Sequence, residues 1–289
     1  MVYTTLTKKR LLLVFAGLFA IATSQADPVS FQTVLNSSEQ APVATETLRY
    51  GELADHYGLL WLPQQTTPAP LVVLVHGGCW LQNYDVNHVA AAAAALRDDG
   101  YAVWVPEYRR ASAEQAAWPQ ALNDVVQAID FIKTSKHPAI ARQAPLLVGH
   151  SAGGHLALLA SNKTAVKGVV GLAAITDFSR YAEGDSGCQQ AARWLIGAAV
   201  DEPQAATLYQ QANPRLQPLT APIVLLASAA DTIVPLAQAG YLADAEVVTV
   251  ADAGHFDFIY PESAAWQQLR ATLKAIANAA EATSVAANR

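Results

Sequence analysis

PLLVGHSAGGHLALLAS (residues 145–161) is the stretch whose reading decides the fold. Its first four residues are an apolar run of the length of a strand buried on both faces. From Ala152 onward the composition is that of a buried helix. Between them, Gly149-His150-Ser151-Ala152-Gly153 fits G-x-S-x-G at a strand-to-helix turn. A serine on such a turn stands clear of its neighbours, and the helix that follows aims free N–H groups at developing negative charge. Taken alone, the motif also fits a glycine-rich packing turn whose serine merely caps a helix.

Upstream, the apolar run LVVLV (71–75) leads directly into His76-Gly77-Gly78-Cys79-Trp80. Acyl transfer needs pre-aimed backbone donors for the oxyanion, and glycines let the main chain approach the substrate oxygen closely. Gly77, Gly78 and the N–H of Ala152 are the expected donors. A hydroxyl is a weak nucleophile until an oriented base takes its proton. Downstream, Asp231 follows the strand-like IVLLAS (223–228), and His255 follows EVVTV (246–250). The order Ser151, Asp231, His255 is the one this chemistry uses after a G-x-S-x-G turn. Asp231 also fits a turn residue capping a helix near Pro235, and Asp252 and Asp257 are the fallback acids.

The same rhythm extends along the chain. Apolar runs at 71–75, 101–105, 145–148, 168–173, 223–227 and 246–250 alternate with helical stretches at 87–99, 117–134, 152–162 and 262–280. Alternation of this kind gives a mostly parallel sheet with helices on both faces. Residues 46–62 read as a hairpin of short strands, after a polar, aperiodic arm (27–45) with room for one short helix and no evident chemistry. Residues 176–218 interrupt the rhythm and read as a cap of short helices at the C-terminal end of the sheet, where open α/β sheets build pockets. The domain is bounded at 46–283, with 284–289 a tail.

Residues 1–26 differ in kind. Lys8, Lys9 and Arg10 precede an apolar run from Leu11 to Ala22, and Ser24-Gln25-Ala26 closes it as a signal-peptidase site would. Twelve apolar residues fall short of the roughly 20 that a membrane-spanning helix needs. The expectation is an exported protein, periplasmic or extracellular, with no stable membrane anchor once the signal is removed. Of the 18 basic residues three leave with the signal, so 15 stand against 24 acidic ones and the net charge is about −9. Such a surface repels phosphates, so nucleic acid is not an expected partner. The two cysteines, Cys79 and Cys188, would meet an oxidising compartment, and Cys188 falls in the insertion above the strand ends where Cys79 stands. A Cys79–Cys188 disulfide is expected on those grounds. No spacing of the C-x-x-C or H-E-x-x-H type occurs, so neither a metal nor another cofactor is implied. His56, His88 and His137 read as turn or helix-surface residues, and His76, His150 and His155 as partners of loop backbone. Trp80, Tyr84, Tyr181 and Trp194 fit either a pocket lining or the cap's own core.

These motifs together resemble the α/β-hydrolase superfamily over roughly residues 46–280. The likeness is to the esterase branch that includes hormone-sensitive-lipase-like carboxylesterases and kynurenine-formamidase-like enzymes. Glu107-Tyr108-Arg109, Trp118-Pro119, Asp124 and Asn213-Pro214 are similar to segments of that branch. Cys79 stands where the HGGG lipases have glycine, which places the chain nearer the H-G-G-x-W group of esterases, feruloyl-esterase-like proteins and arylformamidases. The resemblance implies a serine hydrolase without a cofactor, while small or short-chain esters are expected from the modest insertion at 176–218, which has no large continuous apolar stretch. An amidase or arylformamidase on the same triad, and a catalytically silent binding module on the same fold, are the alternatives.

Overall fold

The computed structural model describes residues 27–287, the side chains as far as residue 277. The segment expected to be a signal lies outside the described residues. Eight strands form one sheet in the order β1-β2-β4-β3-β5-β6-β7-β8. β1 (Glu46–Arg49) and β2 (Tyr57–Trp61) make the expected antiparallel hairpin, and β2 pairs antiparallel with β4 (Ala102–Pro106). The rest is parallel: β3 (Leu71–Val75), β5 (Leu146–His150), β6 (Gly168–Leu172), β7 (Ile223–Ala227) and β8 (Glu246–Thr249). The fold is that of the α/β-hydrolases.

The central strands β3, β4, β5, β6 and β7 are buried at every position. That explains why they appear in the sequence as continuous apolar runs rather than alternations. β8 departs from the expectation. It lies at the sheet edge with exposed positions along its length, Val247 among them, because an edge strand has only one neighbour to cover it.

Helices α2 (Ala90–Asp98), α3 (Gln120–Thr134), α4 (Ala152–Ser161) and α8 (Ala264–Ala287) cover the sheet. α4 is buried at all ten positions, as its lack of a polar face requires. α8 runs past residue 283, so most of the expected tail is helix. The arm before β1 contains one helix, α1 (Phe31–Gln40), whose N-cap Ser30 accepts from the Thr33 N–H.

The interruption between β6 and β7 holds α5 (Phe178–Ala182), α6 (Gly187–Ile196) and α7 (Ala206–Gln211) with short 3-10 turns. Ser186 and Gln189 cap the start of α6 reciprocally, and Gly197 at φ +82° ends it. Trp80 and Tyr181 are fully buried, with Trp80 edge-on to Phe178. They are core residues under the cap rather than pocket lining, whereas Tyr84 is half-buried and Trp194 exposed. Among the described residues no helix is long and apolar enough to cross a membrane.

Candidate active site

The turn after β5 puts Ser151 at φ +55°, ψ −121°. A non-glycine residue there costs about 1–3 kcal/mol and persists only when the surroundings hold it. Ser151 donates its own N–H to the Leu172 carbonyl at 2.8 Å, which ties the turn to β6. The flanking glycines are dictated by contact. A Cβ on Gly149 would lie 2.4 Å from the Gly153 carbonyl oxygen, and one on Gly153 would lie 2.1 Å from that of Val75. The start of α4 therefore sits directly against the exit of β3, where the His76–Trp80 loop begins.

That loop runs through an unusual backbone, with Gly78 at φ +101°, Cys79 at +53° and Trp80 at +58°. A Cβ on Gly77 would stand 3.3 Å from the Ser151 Cβ, so its main chain lies beside the candidate nucleophile. Among the described residues, no backbone hydrogen bond takes the N–H of Gly77, Gly78 or Ala152. His76 Nδ1 lies 2.8 Å from the Gly77 carbonyl oxygen. A carbonyl can only accept, so Nδ1 carries the proton and donates. This bond turns the Gly77 carbonyl away, and the Gly78 N–H of the same peptide plane points to the opposite side.

His76 is held in turn. Its Nε2 lies 3.0 Å from Glu107 Oε1, and both side chains are fully buried. Glu107 also accepts from the N–H groups of Tyr108 and Val86 and faces the Arg110 guanidinium at 3.2 Å. The Tyr108 hydroxyl donates to the His76 carbonyl at 2.9 Å. Sequence reasoning placed Glu107 only by resemblance and gave it no task. The available signal was a lone carboxylate ending the apolar run AVWVP.

His255 follows β8 at the start of a 3-10 turn, Asp231 follows β7, and both are buried. His255 Nδ1 lies 2.8 Å from Asp231 Oδ2. The other oxygen, Oδ1, accepts from the N–H groups of Ile233 and Val234 at 2.8 and 2.9 Å. Asp231 therefore closes its own turn and holds the imidazole, and the 3-10 helix after Pro235 takes no side-chain cap from it. Asp257 is engaged elsewhere, its Oδ2 accepting from the N–H groups of Gly254 and Val29.

His150, next to the candidate nucleophile, has its Nε2 3.0 Å from the His255 carbonyl oxygen and its ring 4.6 Å from the His255 ring. Burial, reinforced by the neighbouring His255, lowers its pKa well below the ordinary value. It remains a neutral Nε2–H donor that fixes His255 beside the Ser151 turn. His155 Nε2 similarly reaches the Ala212 carbonyl. His88 is buried rather than on a helix surface, and His56 pairs with buried Asp124 at 3.1 Å.

Cys79 and Cys188 are joined, with Cα atoms 5.0 Å apart, which is ordinary for a disulfide. The bond links α6 of the cap to the loop bearing Gly77 and Gly78. Among the described residues no group of three or more His, Cys, Asp or Glu side chains is arranged to hold a metal ion.

Fold and site together define an α/β-hydrolase, and the known proteins it is similar to agree. Esterase B from Lactobacillus rhamnosis superposes with a TM-score of 0.72 at 18% identity, covering 88% of this chain and 94% of that one. A carbohydrate esterase from gut microbiota, in truncated form, gives 0.68 at 20% identity, over 82% and 98% of the two chains. The hyperthermophilic esterase of the archaeon Pyrobaculum calidifontis gives 0.67 at 18%, over 86% and 90%. At such identities the likeness is one of fold. Kynurenine formamidase of Drosophila melanogaster is 30% identical over 120 residues, 41% of this chain and 38% of the relative, so the match spans well under half of that protein. The BD-FAE family model matches residues 59–245, more than half of the sequence. The chain belongs to the BD-FAE family of α/β-hydrolase esterases and is a carboxylesterase-like serine hydrolase.

Proposed function

We propose that this protein is an exported esterase that cleaves small or short-chain carboxylic esters through Ser151, His255 and Asp231. The observation that carries the reading is the buried Asp231–His255 pair at 2.8 Å, its backbone fixed by His150 to the strained turn that bears Ser151. Asp231 accepts from Nδ1–H, which leaves Nε2 as the basic nitrogen. His255 takes the Ser151 proton as Oγ attacks the ester carbonyl. The tetrahedral oxyanion is received by the N–H groups of Gly77, Gly78 and Ala152. Collapse expels the alcohol, protonated by His255, and leaves an acyl-Ser151. Water, deprotonated by the same imidazole, then releases the acid. Every step uses side chains and backbone groups of this chain.

Short-chain preference is supported by the modest cap, whose Tyr181 is buried in the core beneath it together with Trp80 of the loop after β3. Export rests on the features of residues 1–26 and agrees with the Cys79–Cys188 bond. A second reading is hydrolysis of an aryl formamide, favoured by the partial likeness to kynurenine formamidase. The same triad serves both.

The test is a panel of p-nitrophenyl esters of increasing acyl length run beside N-formylkynurenine, with wild type and Ser151→Ala. Turnover highest at two to four acyl carbons is expected, as is loss of turnover and of fluorophosphonate labelling in a folded Ser151→Ala protein. Labelling retained at another serine would overturn the assignment. Preference for the formamide would select the second reading.

A further inference from the structure

The acidic net charge is not evenly spread. Of the 15 Lys and Arg beyond residue 26, five lie within 131–176, a stretch with no Asp or Glu: Lys133, Lys136, Arg142, Lys163 and Lys167. The fold gathers them. α3 ends, β5 begins and α4 turns into β6 at one end of the parallel sheet, opposite the strand ends that carry Ser151. The Lys133 ammonium donates to Thr164 Oγ1 at 2.7 Å, which ties the end of α3 to the turn bearing Lys163. The Lys167 N–H donates to the Pro145 carbonyl at 2.8 Å, which holds that turn beside β5. α4 spans ten residues, or about 15 Å, so Lys163 stands about that far from Ser151.

Two concave sites meet at the Lys133–Thr164 link. One, of about 350 Å³, has Lys133, Lys136 and Arg142 on its walls. The other, of about 290 Å³, is lined by Trp118, Asn123, Asn162, Lys163 and Gln211 among others. Acidic neighbours are few: Asp130 lies 3.4 Å from Lys133, and Glu46 is engaged by His137 at 3.1 Å. Among the described residues Lys136, Arg142, Lys163 and Lys167 have no ion pair. The side-chain amides of Asn123, Asn162 and Gln211 likewise make no hydrogen bond among the described residues. Trp118, itself buried, has an indole N–H without a partner, a donor left for an acceptor outside the chain.

We propose that this flank of α3 and α4 binds an acidic polysaccharide, its carboxylates on the Lys and Arg side chains and its hydroxyls on the amides beside Trp118. Each amide offers donors and an acceptor together, which matches a hydroxyl and is of no use to a carboxylate alone. That separates a chain of uronate sugars from an acidic peptide. A bilayer surface is also a poorer fit, because the cations line concave walls that a flat headgroup layer does not enter. The inference concerns binding alone and stands apart from the esterase reading.

The experiment is isothermal titration calorimetry of the full chain at low ionic strength with four probes: hexagalacturonate, neutral maltohexaose, hexaglutamate and phosphatidylglycerol vesicles. Hexagalacturonate should bind at least about tenfold more tightly than the others, and added salt should weaken it as the charges are screened. In Lys136→Gln/Arg142→Gln its affinity should fall about five- to tenfold, and in Asn123→Ala/Gln211→Ala about threefold or more. Circular dichroism should show both variants folded, since all four side chains are exposed. Absence of hexagalacturonate binding would overturn the proposal, as would an affinity within twofold of wild type in both folded variants. Equal binding of maltohexaose would remove the ionic argument, and equal or tighter binding of hexaglutamate or vesicles would replace the polysaccharide with a peptide or a membrane.

Discussion

Removing the Cys79–Cys188 bond by the double substitution Cys79→Ala/Cys188→Ala tests stability and chemistry together. The bond closes a loop with a sequence separation of 109. In the chain-entropy account that restricts the unfolded chain by about 4.8 kcal/mol at 25 °C. Part of this is offset, because Cys79 is held at φ +53° between Gly78 and Trp80, which are also left-handed. Relaxation of that one residue returns about 1–2 kcal/mol to the variant, leaving a net loss of about 3 kcal/mol. For a domain of this size 1 kcal/mol corresponds to about 2–4 °C, so the melting temperature should drop by about 6–12 °C. The relaxed residue adjoins the peptide that bears the Gly78 N–H, so kcat on a short-chain ester should fall about tenfold, a fraction of what loss of a whole oxyanion donor costs. The assays are thermal unfolding by circular dichroism and steady-state kinetics below the transition. A melting temperature within 2 °C of wild type would refute the entropy reasoning, and an unchanged kcat would refute the claim that the bond preorganises the loop. Two free thiols in the denatured, unreduced wild type would refute both.

Asp231→Asn can keep its Oδ1 contacts to Ile233 and Val234 but presents an amide to His255 Nδ1. Turnover should fall by a factor on the order of 10³–10⁴ with the fold intact, and Asp257→Asn, measured alongside, should cost far less. Glu107→Gln leaves His76 without its carboxylate and puts donors among the N–H groups of Tyr108 and Val86. The expected result is a loss of about 3 kcal/mol in denaturant unfolding, with kcat falling more than KM rises because only the oxyanion contact is misdirected. Burial lowers the pKa of His155 to about 4 and that of His88 to about 3. Their folded pKa values lie below the unfolded value near 6.5, so below that pH the unfolded chain binds more protons and stability falls with acidification. The slope for each group is up to about 1.4 kcal/mol per pH unit, from about pH 6.5 down to about 4 for His155 and about 3 for His88. Unfolding curves across that range should flatten in His155→Gln, and an unaltered slope would refute the assignment.

How much of this was legible in advance depends on how local each constraint is. The strands of the sheet interior could be read because a parallel strand covered on both faces must be apolar throughout. The edge position of β8 could not, since EVVTV looks the same whether its second neighbour exists or not. The turn at Ser151 and the loop at Gly77 and Gly78 were legible for a stronger reason. Backbone contacts at 2.1 and 2.4 Å forbid a Cβ at Gly153 and Gly149, so the chemistry leaves its mark in adjacent residues. Asp231 and His255 were placed by the ends of two apolar runs, and the contact between them, 24 residues apart, follows from the adjacency of β7 and β8. Glu107 and the arm escaped because their partners are set by sheet order rather than by spacing. Glu107 meets His76 only because β4 lies beside β3, although the chain between them runs through α2. Val29 and Asp257 are separated by 228 residues, and the polar sequence of the arm gives no sign of which loop it will reach. The reacting groups are thus written in short motifs, whereas the residues that aim them depend on which strands are neighbours. Substitutions in that outer layer should therefore alter selectivity and rate while every motif that identifies the enzyme remains in place.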